Sequence, residues 1–369
     1  MNINLMNNNR IGLQEYSLSL TTQKTAAKVI DLSKYTKELS NLFSTSDNIV
    51  LICHINPDGD AIGSQLSLYY YLKAIGKNAG LISPNNLQEF LKWMDEAELI
   101  NIFIKSRKEC RKLIEMADLI VMLDFNQSNR LGEAEEAVLA SRARKVIIDH
   151  HLNPGSFADL VISDPSKCST SELVHEVIVA INGTQFMSVQ YASALYVGIV
   201  TDTGNFEYGT YSSRTFRIVA DLLDTGIEKE KILNLIYNNF SSERIRLLGY
   251  ALNKRMVVLP EYRTAYIFLT KADLKDYSYV KGDTEGFVNL PLSIKGINFS
   301  ALFIEKDNFI KLSFRSKGQF PSNEFAAQYF SGGGHLNASG GEYTDTLEKT
   351  IDHFIKAVKE NVWRFEEQT

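Results

Sequence analysis

The chain has 369 residues, of which 44% are hydrophobic, and this length allows about two domains of ~150 residues, each with its own core. A single small module is therefore excluded. The 39 lysine and arginine residues are outnumbered by 44 aspartate and glutamate residues, and the formal charge of -5 argues against a broad basic surface for duplex DNA. A small anionic ligand in a local pocket remains compatible with this charge.

The cysteines and the hydropathy of the chain predict its compartment. Cys53, Cys110 and Cys168 form no close-spaced pair, so neither a disulfide framework nor a zinc cluster is expected. No segment approaches the ~18 consecutive apolar residues of a membrane span, and residues 1–20 are rich in asparagine without the order of a signal peptide. We therefore expect a reduced, soluble, cytoplasmic protein without membrane contact.

The first two thirds of the chain are predicted to form a parallel sheet covered by helices. Residues 1–27 show little periodicity and are predicted to be an N-terminal extension. Short apolar runs then alternate with helix-length segments; the runs are Ile49–Cys53, Gly80–Ser83, Leu119–Leu123 and Val146–Ile148, and the clearest helical stretch is Ala61–Ile75. This alternation is typical of open α/β domains and predicts one over residues 28–237.

A linker and a smaller second domain are predicted beyond this point. Residues 238–256 contain a polar helical stretch and are predicted to be a linker or hinge. The following pattern is rich in β runs, at Met256–Leu259, Thr264–Leu269, Phe299–Ile304 and Phe309–Phe314, with helices near 323–330 and 346–361. We predict an α/β or α+β domain over 257–369 and an active site in the cleft between the two domains.

The first chemical motif follows the apolar run 49–53 and precedes a helix, which is where ligands bind in an open α/β sheet. In His54-Ile-Asn-Pro-Asp58-Gly-Asp60, a Pro-Gly turn lets both carboxylates face inward with the imidazole. One imidazole and two carboxylates suit a hard divalent cation such as manganese better than a zinc thiolate site. An Asp-Gly turn followed by a helix N-cap is the alternative for this motif taken alone.

Further acidic residues and histidines follow later apolar runs. Asp124 directly follows the run 119–123, and Asp149-His150-His151 directly follow the run 146–148. An unpaired buried carboxylate is costly, so each of these aspartates needs a partner. Asp202 follows an apolar stretch at 189–200, where a helix C-terminal turn is an equally good explanation for the residue taken alone. Ser169-Thr-Ser-Glu172 is predicted to be a capping box that opens a helix over 170–181.

The ordered set of His54, Asp58, Asp60, Asp124, Asp149-His150-His151 and Asp202 resembles the DHH phosphoesterase superfamily. Phe314-Arg315-Ser316 and the Gly-Gly-Gly-His run that ends at His335 resemble elements of its DHH-associated domain. The likeness covers about residues 40–360 and is greatest to the bifunctional oligoribonuclease and pAp phosphatase branch. Ser331 stands where many relatives have a fourth glycine or another small residue.

The resemblance implies a centre of two manganese ions, with Mg2+ or Co2+ as possible substitutes. One ion would be held by His54, Asp58 and Asp124, and the other by Asp60, Asp124, His150 and Asp202. Asp124 would bridge the two ions. Metals ~3.5–4 Å apart lower the pKa of a bridging water and stabilise the entering and leaving oxygens of an in-line displacement at phosphorus. Asp149 is expected to orient a ligand imidazole, and His151 either contacts a phosphate oxygen, which we favour, or protonates the leaving group.

The second domain is expected to bind substrate phosphate through Arg315, Gly332, Gly333, Gly334 and His335. Consecutive glycine N–H groups can bind an anion, and a guanidinium offers two parallel donors. A tight turn and an exposed strand charge are the alternatives for these residues taken alone. His175 and His353 lie on predicted helices. They are expected to be ordinary residues of the surface or of its boundary with the core, outside the site. Phe206 and Tyr208 are the aromatic residues nearest in sequence to Asp202 and are candidates for base stacking.

The predicted function is manganese-dependent hydrolysis of short oligoribonucleotides to mononucleotides and of pAp to AMP. The alternatives are hydrolysis of linear or cyclic dinucleotides (pApA, pGpG), hydrolysis of polyphosphate, and a catalytically silent nucleotide-binding regulator. The complete set of candidate ligands argues against the silent regulator. The expected partner is short single-stranded RNA or a small nucleotide, with no duplex DNA and no membrane, and a homodimer is an open possibility.

Overall fold

In a computed structural model of the protein, residues 31–207, 209 and 211–361 are described, apart from the side chain of His335. The predicted N-terminal extension, residues 1–27, and Tyr208 lie outside the described residues. The described chain forms two sheets of six strands each. Among its helices, none combines the length and the apolar character that crossing a bilayer requires.

The first sheet is parallel throughout, as predicted. Its strands are β1 (Ile49–Ile52), β2 (Ala79–Ser83), β3 (Asn101–Ile102), β4 (Leu119–Leu123), β5 (Arg144–Asp149) and β6 (Leu160–Ser163), in the order β3-β2-β1-β4-β5-β6. The accompanying α-helices are α1 (Ser33–Thr45), α2 (Gly59–Ala74), α3 (Arg107–Met116), α4 (Glu135–Ala140), α5 (Thr170–Asn182), α6 (Val189–Asp202), α7 (Ser213–Asp224), α8 (Lys229–Tyr237) and α9 (Ser242–Lys254). Strands β1 and β4 are buried along their whole length because helices cover both faces of the sheet.

The order of the strands places a crevice at the centre of this sheet. The chain continues from β1 to β2 and β3 on one side, and from β4 to β5 and β6 on the other. Where the direction of winding reverses, open α/β sheets bind ligands beyond the carboxyl ends of the two central strands. His54 and Asp124 follow these two strands.

Helices α2 and α6 run antiparallel and in close contact. A Cβ on Gly63 would lie 2.5 Å from the carbonyl oxygen of Ala194, and a Cβ on Gly198 would lie 2.8 Å from Asp60 Oδ1. Glycine is therefore required at both positions. The contact brings the N-terminus of α2 beside the C-terminus of α6 at the edge where the central strands end.

The second sheet is mixed and forms the predicted smaller domain. Its elements are β7 (Met256–Leu259), β8 (Thr264–Leu269), α10 (Lys271–Asp276), β9 (Phe299–Glu305), β10 (Ile310–Ser316), α11 (Ser322–Tyr329), β11 (Gly333–His335), β12 (Ala338–Tyr343) and α12 (Leu347–Asn361). Only β8 and β9 pair in parallel in the order β11-β12-β10-β9-β8-β7. Its core is rich in phenylalanine, with Phe299, Phe314 and Phe354 in mutual contact. The domain boundaries given above remain predictions.

Candidate metal centre

Four candidate residues lie at the carboxyl edge of the parallel sheet because they end or follow its strands. His54 follows β1, Asp124 follows β4, Asp149 is the last residue of β5, and His150 comes next. All four are buried. Asp124 has a left-handed backbone with φ of 66°, and its N–H donates to the carbonyl oxygen of Ile148 at 3.1 Å. This bond ties the turn after β4 to β5.

Two helix ends supply the other three carboxylates. Asp58 is the N-cap of α2 and accepts from the N–H of Asp60 at 3.1 Å. Glycine is required at position 59 between them, because a Cβ there would lie 2.2 Å from Thr201 Oγ1. Asp202 is the last residue of α6. The close contact of α2 and α6 therefore brings these three carboxylates together.

The candidate ligands form two groups that meet at Asp124. His54 Nε2 lies 3.3 Å from Asp124 Oδ2 and 3.9 Å from Asp58 Oδ2. His150 Nε2 lies 3.8 Å from Asp124 Oδ1. The same nitrogen lies 3.3 Å from the nearer carboxylate oxygen of Asp202 and 3.9 Å from that of Asp60. Within each of the groups His54, Asp58, Asp124 and Asp60, His150, Asp202, the potential ligand atoms lie within 4.8 Å of one another. Those of Asp124, His150 and His151 do so as well, with His151 Nδ1 at 3.8 Å from Asp124 Oδ1.

The carboxylates lie close enough to oppose one another's ionisation. Burial raises the pKa of Asp124 well above its usual range, and the charges of Asp60 and Asp58 raise it further. Burial also raises the pKa of Asp202, although His150 acts in the opposite direction. Bound cations would relieve this repulsion. The donors are imidazole nitrogens and carboxylate oxygens without thiolate, a set that suits a hard divalent ion.

The charge of Arg130 also reaches this centre. Burial lowers the pKa of His54; Asp58 opposes that effect and Arg130 adds to it. Burial alone would raise the pKa of Asp58, but His54, its backbone hydrogen bonds and Arg130 bring the pKa below its usual value. Arg130 was not among the predicted site residues, because a lone arginine in a loop carries no signal of its own.

The N-terminus of α5 holds two of the carboxylates, and this contact was also not predicted. The backbone N–H groups of Thr170 and Ser171 donate to the two oxygens of Asp60, at 2.6 and 2.8 Å. Thr170 Oγ1 donates to Asp124 Oδ1 at 2.8 Å. A helix N-terminus is a favourable place for a carboxylate. Thr170 therefore positions both groups of candidate ligands.

Asp149 holds the second histidine of the triplet rather than the first. Its Oδ1 lies 2.6 Å from His151 Nδ1, and its Oδ2 accepts from the His151 N–H at 2.9 Å. Burial alone would raise the pKa of Asp149, but these bonds and the imidazoles bring it below its usual value. His150 Nδ1 instead lies 3.2 Å from the carbonyl oxygen of Lys167. Asp149 was expected to orient a ligand imidazole. It orients the ring of His151, whereas the carbonyl oxygen of Lys167 orients the candidate ligand His150.

The second domain faces the centre through Arg315. This residue lies on β10, is half-buried, and its charge lowers the pKa of Asp202 against the effect of burial. The predicted glycine anion site needs a correction, because the N–H of Gly332 donates to the carbonyl oxygen of Ala326 at 3.1 Å. Consecutive free N–H groups from Gly332 to Gly334 are therefore not available. The side chain of His335 is outside the described part of the chain.

The packing of this segment explains two of its three glycines. A Cβ on Gly332 would lie 2.0 Å from the carbonyl oxygen of Gly340, and one on Gly334 would lie 2.5 Å from that of Ala338. Gly333 has open space around it. His175 is likewise structural, but it is buried with 1% exposure rather than at the surface, and its Nδ1 lies 3.2 Å from the Tyr191 hydroxyl.

Sequence comparison identifies both parts of the chain. The profile of the DHH family, N-terminal domain, matches residues 48–199, and the profile of the DHHA1 domain matches residues 264–364. The chain belongs to the DHH family. The first match spans the parallel sheet and most of the candidate ligands, and the second spans nearly all of the mixed sheet. The predicted resemblance is therefore confirmed.

Individual relatives match this DHH chain along most of its length. The bifunctional oligoribonuclease and PAP phosphatase NrnA of Thermus thermophilus is 28% identical over 320 residues, 86% of this chain and 90% of that protein. The protein of the same name from Bacillus subtilis is 28% identical over 309 residues, 82% and 91% of the two chains. The crystal structure of an exopolyphosphatase-related protein from Bacteroides fragilis has a TM-score of 0.88 and 42% identity, covering 92% of this chain and 99% of that one. This DHH protein is a hydrolytic phosphoesterase.

Proposed function

We propose that this enzyme hydrolyses short single-stranded oligoribonucleotides to mononucleotides and removes the 3′-phosphate of pAp, using two manganese ions. The observation that carries the proposal is the position of Asp124. Its Oδ2 faces His54 and its Oδ1 faces His150. The similarity to two bifunctional oligoribonuclease and PAP phosphatase proteins over most of both chains supports the substrate class.

The ligand assignment that we propose uses four of the carboxylates in the cluster and leaves Asp149 to hold His151. His54, Asp58 and Asp124 would hold one ion, and Asp60, Asp124, His150 and Asp202 the other. Ligand bonds of about 2.1 Å bring the donor atoms of one cation within roughly 3 to 4 Å of one another. The histidine nitrogens lie 3.3 to 3.9 Å from the carboxylate oxygens of their groups, which fits this spacing. Manganese is proposed because imidazole and carboxylate donors suit it, and Mg2+ or Co2+ are proposed as substitutes.

The residues of the chain prepare the reaction in distinct ways. When bound, a pair of divalent ions lowers the pKa of a water and stabilises the entering and leaving oxygens. Thr170 fixes the rotamer of Asp124 through its hydroxyl. Asp149 fixes the ring of His151 through Nδ1, so that the other ring nitrogen can contact a phosphate oxygen or hand a proton to the leaving oxygen. Arg315 and the segment around Gly333 would bind a second phosphate of the substrate.

The two-domain arrangement favours short substrates. Lys281 Nζ in the second domain donates to Asn56 Oδ1, beside the first candidate ligands, at 3.1 Å. This contact and the charge of Arg315 near Asp202 bound the site on the side of the second domain. A ligand of two to five nucleotides would reach both domains, whereas a long strand or duplex DNA needs an open basic track. Phe206 is a candidate for stacking on a base.

Hydrolysis of polyphosphate is a second candidate function. The relative of known structure that is 42% identical to this chain is described as exopolyphosphatase-related. An exopolyphosphatase acts on a chain of phosphates, and Arg315 together with two cations would bind such a chain as well. Contacts between the protein and a nucleobase distinguish the two functions, since polyphosphate has no nucleobase.

Product analysis on a substrate panel tests the proposal. The panel holds pAp, pApA, pGpG, RNA of five and of twenty residues, and polyphosphate, each with manganese and with excess chelator. We expect manganese-dependent release of AMP from pAp and of mononucleotides from short RNA, with a specificity constant that falls from five to twenty residues. Turnover of polyphosphate alone would move the assignment to the second candidate, and no turnover at all would contradict both.

A further inference from the structure

Arg130 presents an exposed cation at the edge of the candidate metal centre. It lies in a 3-10 helix, Ser128–Ala134, in the segment that follows β4. Its Nη2 lies 3.2 Å from His54 Nδ1, and the residue is exposed to solvent. Within the described residues it forms no ion pair. The guanidinium therefore lies beside a candidate metal ligand, where its charge acts on His54 and on the carboxylate of Asp58 without a close ion pair to either.

The backbone around Arg130 holds it in this position. Its carbonyl oxygen accepts from the N–H of Ile55 at 2.8 Å. Gly132 has φ of 55°, and a Cβ there would lie 2.6 Å from Ile55 Cγ2. The segment is thus packed against the loop that carries His54 by contacts that do not involve the guanidinium. The guanidinium is therefore not needed to hold the segment in place.

The contact of Arg130 with His54 is incompatible with a metal-ligating imidazole. His54 Nδ1 also lies 2.7 Å from the carbonyl oxygen of Ile55. If Nε2 ligates a cation, the neutral ring carries its proton on Nδ1 and donates it to that carbonyl. A guanidinium has donors only, so Arg130 then faces an N–H and loses its hydrogen bond. It needs a different acceptor in the metal-bound enzyme.

The positive charge of Arg130 disfavours a metal ion on His54 unless an anion lies between the guanidinium and that ion. A phosphate group that bridges the metal centre would be that anion, since a planar guanidinium offers two parallel donors to phosphate oxygens. We infer that Arg130 is a substrate-contacting residue that binds a non-bridging oxygen of the phosphate being hydrolysed. This inference rests on the proposed function and deepens it.

The role assigned to Arg130 is electrostatic. As the P–O bond from water forms, the P–O bond to the leaving oxygen breaks, and that oxygen takes a proton. Arg130 keeps its own protons and donates hydrogen bonds to oxygens on which negative charge is concentrated. Groups placed in this way lower the barrier more than they strengthen ground-state binding.

The test compares Arg130→Met and Arg130→Lys with the control Arg142→Met. Arg142 is an exposed arginine that precedes β5, at the other end of the strand from the centre. We expect Arg130→Met to lower kcat on pApA and pAp by about 100-fold, with a smaller change in KM. Added guanidinium ion should restore part of this loss, Arg130→Lys should retain part of the activity, and Arg142→Met should match wild type.

Calorimetric titration with manganese separates this role from a structural one. In Arg130→Met the affinity for manganese should be unchanged or higher, because a repelling charge is removed. Weaker manganese binding, or kcat within about threefold of wild type, overturns the inference.

A binding measurement keeps the test independent of the proposed activity. With manganese-loaded protein, Arg130→Met should bind AMP at least tenfold more weakly than wild type, whereas Arg142→Met should not. If wild type cleaves nothing in the substrate panel, the proposed function fails while the AMP comparison still decides the role of Arg130. Equal AMP affinity in wild type and Arg130→Met overturns the inference.

Discussion

Asp124 combines three unfavourable features in one residue. Its backbone has positive φ, its carboxylate is buried, and other carboxylates surround it. A non-glycine residue in the left-handed region and a buried charge each cost stability unless something compensates for them. The two cations proposed above would account for all three features, because a bridging ligand must lie at the sheet edge between both groups of donors.

Replacing Asp124 with asparagine should separate stability from activity. Asparagine tolerates positive φ and can still accept from Thr170, but it removes one buried charge. We expect turnover on pAp to fall by more than about 100-fold, while the melting temperature in chelator rises by about 2 to 4 °C, as ~1 kcal/mol of relieved repulsion would produce. Thermal unfolding with chelator and with manganese measures this. Turnover within about threefold of wild type would contradict the bridging role.

Thr170 should matter for catalysis through its hydroxyl alone. Thr170→Val keeps the shape and the backbone N–H that binds Asp60, but it removes the hydrogen bond to Asp124. A hydrogen bond to a charged group contributes about 1.5 to 3 kcal/mol, so kcat should fall roughly 10- to 100-fold. Thr170→Ser, which keeps the hydroxyl, is the matched control and should recover most of the rate. Equal rates for the valine and serine variants would show that the hydroxyl plays no part.

At the scale of secondary structure, patterns in the sequence predicted four of the six strands in each described sheet and missed β3, β6, β11 and β12. Apolar runs become β1, β4 and β5, and the polar residues that follow them meet because carboxyl ends of parallel strands share one edge. The capping pattern at Ser169 correctly placed the start of α5. The contacts of Thr170 and Arg130 were not predictable, since they depend on which helix and loop pack beside the cluster. The hydrogen bond of Gly332 was missed for the same reason.

The contact between α5 and α6 contains a histidine that should make the fold sensitive to acid. Burial lowers the pKa of His175 to about 4, and the charge of Arg214 adds to this effect. Asp221 and Glu176 oppose it. The neutral ring is therefore favoured in the folded protein, while the unfolded chain binds a proton near pH 6.5. Stability contributed by this group is complete above that pH and is lost as the pH falls toward 4.

Urea unfolding in chelator at pH 7 and pH 5 measures this loss. From the pKa difference, His175 should account for about 2 kcal/mol of the decrease in unfolding free energy between these two pH values. His175→Gln keeps a polar group beside the Tyr191 hydroxyl but does not titrate, so its decrease should be smaller by that amount. An identical decrease in wild type and variant would mean that His175 is not held neutral.

At the scale of the whole molecule, the second domain should bind substrate without holding the metals. Arg315→Ala removes a cation near Asp202, so manganese affinity should stay the same or increase. KM for pApA should rise about tenfold or more, with a smaller change in kcat, because a lost phosphate contact weakens substrate binding. Lys311→Ala, an exposed residue on the same strand, is the control. Weaker manganese binding in Arg315→Ala would contradict this division of roles.

The central claim is that two cations share Asp124 at the edge of the parallel sheet. Anomalous diffraction from crystals grown with manganese tests it most directly, because it locates each ion without reference to activity. We expect two peaks about 3.5 to 4 Å apart, both in contact with Asp124, one beside His54 and the other beside His150. A single peak, or two peaks that do not share Asp124, would contradict the account.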